Sequence, residues 1–546
     1  MWKSALLGVS ILAVLSGCVA GGSQSAVPHR GDERTADAAT LVAWTLHDAT
    51  RLRPNSARRA GESPIALRAA RNETVSFQIA VRAPSGGLTG LSLSAYAFEG
   101  RTTPRHAIES VLYREYFVDI PHASPIGGRP KTLGAGVYPD GLIPFVDPST
   151  GKTPPPSRLR AAPIALAAGT VQPYWIDVRV PADAAPGNYT ATYVLRSDQG
   201  TATFHVPLHV WRFRMPAAPS LDSSFGVYAY PGFDRDSLAA DTELLSERIQ
   251  FSPVVPAYER RLQPLGLKMI GLGIWSGADY GHCVMSPPPA PAAVKREAAR
   301  NAISYLFDQP ADEIGACPNL LTKLVPIIAK YARELHAANV DDLITMSPIP
   351  ALEDDGSGTG RSAVDIWTMQ PPEYDHHVAE VRKVLAKGDR AWFYTDLSPD
   401  DYSPKWAVDA PPADYRIPAL IDESLGFTGE LYWALNKWRA HPWDDVEYPD
   451  GGGVFSAGEG ILTYPGSDAG IASLVPSMRL KWIRDGMYDA DEVSLLKACG
   501  RGAWALAQIR SVAADWRRWS QDSSAIDAVH LKLAQELDAD CPAPAS

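Results

Sequence analysis

Beyond Met215-Pro216-Ala217-Ala218-Pro219 the sequence returns eight times to an apolar run of strand length, and most gaps between these runs can hold a helix. The two prolines stiffen the link and cannot continue a ladder, so a domain boundary falls there. The runs are Ser223 to Tyr230, Phe251 to Val255, Leu267 to Ile274, Ala302 to Asp308, Asp342 to Ser347, Ala363 to Met369, Arg390 to Asp396 and Thr428 to Ala434. Amphipathic helical period is clearest between them at Leu320 to Ala338 and His376 to Leu385. A strand and a crossover repeated eight times is the count of a (β/α)8 TIM-type barrel, whose C-terminal strand ends build one pocket. The second and third runs are closely spaced, so irregularity is expected there. Pro476 to Leu496, Ala503 to Trp516 and Ala525 to Leu537 are helical in period. The barrel is therefore assigned to residues 220–500 and a C-terminal helical extension to 501–546.

A chain of 546 residues exceeds one ordinary core, and the part before the prolines has a different pattern. Val75 to Val81, Tyr174 to Val180, Tyr189 to Leu195 and Ala202 to Val210 alternate with period two, with turns such as Ala185-Pro186-Gly187-Asn188 between them. These runs predict an antiparallel β-sandwich over residues 41–216. His205 and His209 share a strand face, and with no third ligand in view they read as surface residues.

At the amino terminus Lys3 precedes an apolar run from Leu6 to Leu15, too short to span a bilayer, followed by Leu15-Ser16-Gly17-Cys18. This resembles a bacterial lipobox: residues 1–18 are then a signal segment ending at a lipidated Cys18, and 19–40 a polar tether. Val19 after the cysteine implies the outer membrane. The expected location is the bacterial cell envelope, with acyl chains as the only membrane contact. The net charge of −11 and the lack of Lys/Arg clusters exclude a nucleic-acid partner. Export makes the other four cysteines candidates for disulfides. Of three possible pairings, Cys283 with Cys317 and Cys499 with Cys541 is favoured: the first joins neighbouring loops on the strand-end face, and the second pins the tail to a helix. No CxxC or Cys/His cluster is present, so no metal or cofactor is expected. The oligomeric state is left open.

Read off the strand ends, the candidate pocket holds Tyr228, Tyr230, Trp275, Asp308, Gln309, Trp367, Tyr394, Asp396, Tyr432, Trp433 and Asn436. Rings that stack on pyranose faces, with acids and amides to hold hydroxyls, suit a glycan partner. Neighbours on a strand point opposite ways, so at most one of Tyr432 and Trp433 lines the pocket.

Several segments together resemble glycoside hydrolase family 123, a member of the DUF4091 group. They are Phe307-Asp308-Gln309-Pro310, Val364-Asp365-Ile366-Trp367, Trp392-Phe393-Tyr394-Thr395, Gly429-Glu430-Leu431-Tyr432-Trp433, Gly460 to Gly466 and Met478 to Asp489. Ala70 to Gln78 and Val180 to Tyr189 resemble the family's N-terminal domain. The resemblance implies a retaining, substrate-assisted β-N-acetylgalactosaminidase. In that chemistry the sugar's acetamido oxygen attacks the anomeric carbon, an Asp orients the acetamido group, and an adjacent Glu protonates the leaving oxygen. Asp308 falls on the first position, and Gln309 stands where the family has Glu. Three explanations are open. Another acid reaches the leaving oxygen, with Glu313 nearest in sequence and Glu353, Asp354 or Asp396 on neighbouring loops; or a different linkage is cleaved by a different arrangement; or the barrel is inactive and the protein binds glycans. Arg479, Arg484, Asp485 and Asp489, at helical spacing, read as salt bridges holding a helix rather than as substrate ligands.

Overall fold

Period-two burial builds the first half of the molecule. In the computed structural model, which describes residues 41–58, 64–100, 107–125, 131–230, 233–234, 237–396, 400–449 and 455–541, two sheets face each other. One has the strand order Val42–His47, Glu73–Arg82, Val171–Val180, Glu109–Ile120, Gly136–Pro144, with every pair antiparallel. The other runs Leu67–Arg71, Gly200–Arg214, Gly187–Ser197, Leu88–Ala95, Ile164–Leu166. Alternate residues turn inward from both: Phe77, Ile79 and Val81 meet Tyr189, Ala191, Leu195, Val206 and Leu208 in one apolar core. The proposed signal segment, Cys18 and the tether lie outside the described residues.

The eight barrel strands are Asp222–Gly226, Phe251–Ser252, Met269–Gly271, Tyr305–Ala311, Val340–Thr345, Ile366–Met369, Arg390–Tyr394 and Gly429–Tyr432. All their pairings are parallel, in the order second, first, eighth, seventh, sixth, fifth, fourth, third. The barrel is nearly closed, and the second and third strands form its two edges among the described residues. Both are very short, because the chain between them spends its residues on the turns Glu259–Leu262 and Gln263–Leu265.

Met269, Phe307, Leu343, Ile366, Trp392, Tyr394 and Leu431 form one cluster drawn from six strands, which is the barrel interior. Strand alternation then fixes their neighbours. Asp308, Trp367 and Tyr432 face outward, toward the helices. Helix Val325–His336 covers the fourth and fifth strands with Ile328, Tyr331, Ala332 and Leu335. No helix among the described residues is long and apolar enough to cross a membrane.

The helix Met478–Ala498 starts at Ser477, whose side chain accepts the Leu480 N–H, and is buried along most of its length between sandwich and barrel. Its cations carry the junction. Arg479 donates two hydrogen bonds to Asp140, at 2.8 and 2.9 Å. Lys481 reaches Asp177 at 2.8 Å and also Glu247, and Arg484 contacts the same two acids. Burial alone would raise Asp177, yet Arg484 and Lys481 hold it well below the usual carboxylate range. Removing one partner of such a buried network leaves an uncompensated charge, at a cost of about 3–5 kcal/mol. The span expected to be helical to Trp516 instead ends at Ile509, and Ala513–Asp515 pairs with Arg518–Trp519 so that Trp516 packs on Phe393. Disulfides join Cys283 to Cys317 and Cys499 to Cys541.

Candidate active site

The fourth strand runs on through Pro310 to Ala311. Its register against the fifth shifts between Asp308 and Ala311, and the bulge absorbs the proline. The third strand's loop follows this extension: Ser276 N–H donates to Pro310 O at 2.9 Å, and Ala278 bridges Ala311 in parallel. The strand's open end therefore carries the adjacent acids Asp312 and Glu313, four residues beyond the pair the sequence singled out.

Thr345, at the end of the fifth strand, ties these acids together. Its hydroxyl donates to Asp312 Oδ1 at 2.6 Å and accepts the Glu313 N–H at 2.6 Å. Gln309 faces inward below them, and its Nε2 donates to Asp312 Oδ1 at 3.1 Å. Glu313 sits in the left-handed region at φ +47°, rare for a residue with a side chain and frequent at functional sites. From the end of the seventh strand, Tyr394 OH donates to Glu313 Oε1 at 2.8 Å. Asp396, just beyond, lies close enough to act on the Glu313 carboxyl. After the sixth strand Glu373 caps its own helix, accepting from Gln370 N–H at 2.9 Å, and it feels the charge of Glu313.

Burial pushes Glu313 above its ordinary range, and the nearby charges of Asp312 and Asp279 push the same way, against the hydrogen bond from Tyr394 and the influence of Asp396. Burial also raises Asp312, opposed by donation from Thr345 and Gln309. Both carboxyls are thus lifted by burial, and the charge of Asp312 adds to the rise at Glu313.

Trp433 stands beyond the eighth strand, its Nε1 donating to the buried Glu459 Oε1 at 2.8 Å. Burial pushes Glu459 up to about 8. Gly460, at φ +67°, lets the ring lie close: a Cβ there would come within 2.5 Å of it. Tyr228, Trp433 and Lys437 gather at this rim, with Lys437 Nζ 4.5 Å from the Tyr228 ring centre. Trp275 is half exposed on the loop after the third strand.

Thus Gln309, Glu313, Tyr394 and Asp396 converge, with Trp433 and Trp275 at the same end of the barrel. Four residues expected in the pocket do not reach it. Asp308 is fully buried and outward: its Oδ1 accepts the Ile274 N–H at 2.8 Å, and Tyr331 and Asp342 are its neighbours. Trp367 packs under helices and donates to Asp389 at 3.1 Å. Tyr432 is buried against Phe225 and Trp406, and its hydroxyl accepts from Gly460 N–H. Asn436 clamps both backbone groups of Tyr228, at 2.9 and 2.8 Å. Glu353 pairs with Lys383, and Asp354 accepts from Gly356 in its own loop. Asp312, Glu373 and Glu459 were missed. The Asp312-Glu313 dipeptide is visible in the sequence, but a strand ending at Asp308 leaves it in a loop.

The family model for the glycoside hydrolase 123 catalytic domain matches residues 308–496, and that for the glycoside hydrolase 123 N-terminal domain matches residues 50–197. A solved family 123 glycoside hydrolase from Clostridium perfringens aligns with TM-score 0.60 at 11% identity, covering 92% of this chain and 99% of the other, which shows a shared fold. Bacteroides uniformis β-glucuronidase 3 aligns at 11% identity and TM-score 0.27, covering 78% of this chain and 50% of that one. A Parabacteroides merdae β-glucuronidase does so at 9% and 0.28, covering 77% and 50%. These last two likenesses are too slight to build on. Curated proteins gave no match.

Proposed function

Because the chain belongs to glycoside hydrolase family 123, and is by that membership a glycosidase, we propose that it cleaves β-linked 2-acetamido sugars by substrate-assisted retention, with Asp312 and Glu313 as the working pair. The observation that carries this reading is the adjacent Asp-Glu dipeptide at the open end of the fourth strand, with Thr345 bonded to both residues. Ionised Asp312 accepts the acetamido N–H and offsets the charge of the oxazolinium as it forms. Protonated Glu313, steadied by Tyr394, gives its proton to the leaving oxygen; as a carboxylate it then draws a proton from the water that opens the intermediate. Trp433, fixed by Glu459, offers a face to the sugar ring.

Asp308 and Gln309 have no catalytic part in this scheme. An inactive, glycan-binding barrel was an alternative only while the amide at 309 stood in for the acid. The Clostridium perfringens enzyme is described for glycolipid glycan hydrolysis, and we extend that substrate class to this chain. The Leu15-Ser16-Gly17-Cys18 sequence supports anchoring by acyl chains on Cys18, which would hold the enzyme beside lipid-linked glycans. The test is hydrolysis of a panel of aryl glycosides, with Asp312→Asn alongside. Turnover of aryl β-N-acetylgalactosaminide that is lost in Asp312→Asn and absent for glycosides without the acetamido group supports the reading. Equal turnover of sugars lacking that group would overturn it. Release of the chain from membranes by Cys18→Ala tests the anchor.

A further inference from the structure

The helices Met478–Ala498 and Ser523–Asp540 bring Asp489, Glu492 and His530 together away from the barrel mouth. Asp489 and Glu492 are three residues apart and share a helix face. His530 Nδ1 lies 2.9 Å from Asp489 Oδ1 and 3.2 Å from Glu492 Oε2. One donor atom from each of the three lies within 4.8 Å of the others. Glu492 is 0% exposed, and apart from the His530 ring no donor reaches either of its oxygens. A buried carboxylate so poorly served is costly unless a cation completes it.

The surroundings fit a cation. Arg416 grips Asp489 with two hydrogen bonds, at 2.6 and 2.9 Å, and so aims it as an outer partner aims a metal ligand. Glu73, from the sandwich strand Glu73–Arg82, is buried close enough for its charge to feel both His530 and Glu492. A cavity of about 360 Å³ lined by Glu73, Arg416 and His530 gives access.

We propose that Asp489, Glu492 and His530 bind a divalent transition metal of the kind zinc represents, stapling the last helix to the junction of sandwich and barrel. One imidazole nitrogen and two carboxylate oxygens are a donor set that zinc accepts, with water completing four-coordination. The nitrogen that binds must be unprotonated, so zinc and a proton compete for His530.

The test uses the untagged full chain, stripped with a chelator and titrated with zinc chloride, with calcium chloride as control. Retained metal is measured after desalting, and unfolding is followed by fluorescence. The expected result is about one zinc per chain and a melting temperature that rises with zinc but not with calcium. Both effects should vanish in Glu492→Gln and His530→Gln. Arg416→Lys, which alters no ligand, should weaken zinc binding about 10- to 100-fold. Wild-type chain that is folded, retains no zinc and melts independently of it would mean that a proton on His530 joins the acids, and the proposal fails. Zinc retained equally by both ligand variants would place the metal elsewhere and also end it. The wild-type measurement decides even where a variant does not fold.

Discussion

Replacing Glu313 by Gln isolates the proton-transfer step. The amide keeps the shape of the side chain, and its oxygen can still accept from Tyr394, which donates at 2.8 Å, so the loop should hold its place. What disappears is a transferable proton. Positioned acid catalysis is commonly worth about 10²- to 10⁴-fold, or about 2.7–5.4 kcal/mol at 1.36 kcal/mol per tenfold. That full loss is expected in kcat/KM for a substrate with an alkyl or sugar leaving group. An aryl group of low pKa departs without help, so for it most of the loss should be recovered. The pH profile gives a second reading. Burial, with the Asp312 and Asp279 charges, raises Glu313, so its proton persists to higher pH than a free glutamate's. Wild-type activity should hold through that range and fall as pH rises past the raised value; Glu313→Gln should lack that alkaline limb. Wild-type kcat/KM on unactivated substrate, or an equal loss for both classes of leaving group, would refute Glu313 as the acid.

Asp308→Asn should leave turnover near wild type. Burial lifts this carboxyl from the ordinary 3.8 to about 7, so between those values the folded chain keeps a proton that the unfolded chain has lost. Stability therefore falls as pH rises through that window, by at most about 4 kcal/mol at 1.36 kcal/mol per unit. Asn should remove that slope in denaturant melts compared at about pH 5 and pH 8; an unchanged slope or lost turnover would refute the assignment. Gln309→Glu replaces the donor to Asp312 by a second carboxyl, and should lower turnover of aryl N-acetylgalactosaminide by about tenfold, a cost of about 1.4 kcal/mol. A gain would put position 309 back in the acid's place. Cys317→Ser opens a bridge spanning 34 residues that lies four residues from Glu313. It should cost about 2–4 kcal/mol in stability and reduce kcat more than KM; unchanged melting without reductant would contradict the bridge.

The sandwich and the eight barrel strands could be read from the chain, because hydrophobic period is local and survives whatever packs on it. The placement of Asp308 departs from the sequence reading for a reason of the same physics. Phe307 belongs to the barrel interior, so alternation turns Asp308 outward, and facing could not be assigned until the interior cluster was known. Tyr394 and Glu313 lie 81 residues apart, and their hydrogen bond depends on how the fourth and seventh strands close around one axis.

What the sequence settled by itself was the order of elements and the family, since these rest on spacing and on segments that can be read in isolation. The tertiary structure alone decided which acid stands at the barrel mouth. A bulge between Asp308 and Ala311 carries the strand through a proline and brings Asp312 and Glu313 to its end. The fifth strand and the third strand's loop pair with that extension from both sides.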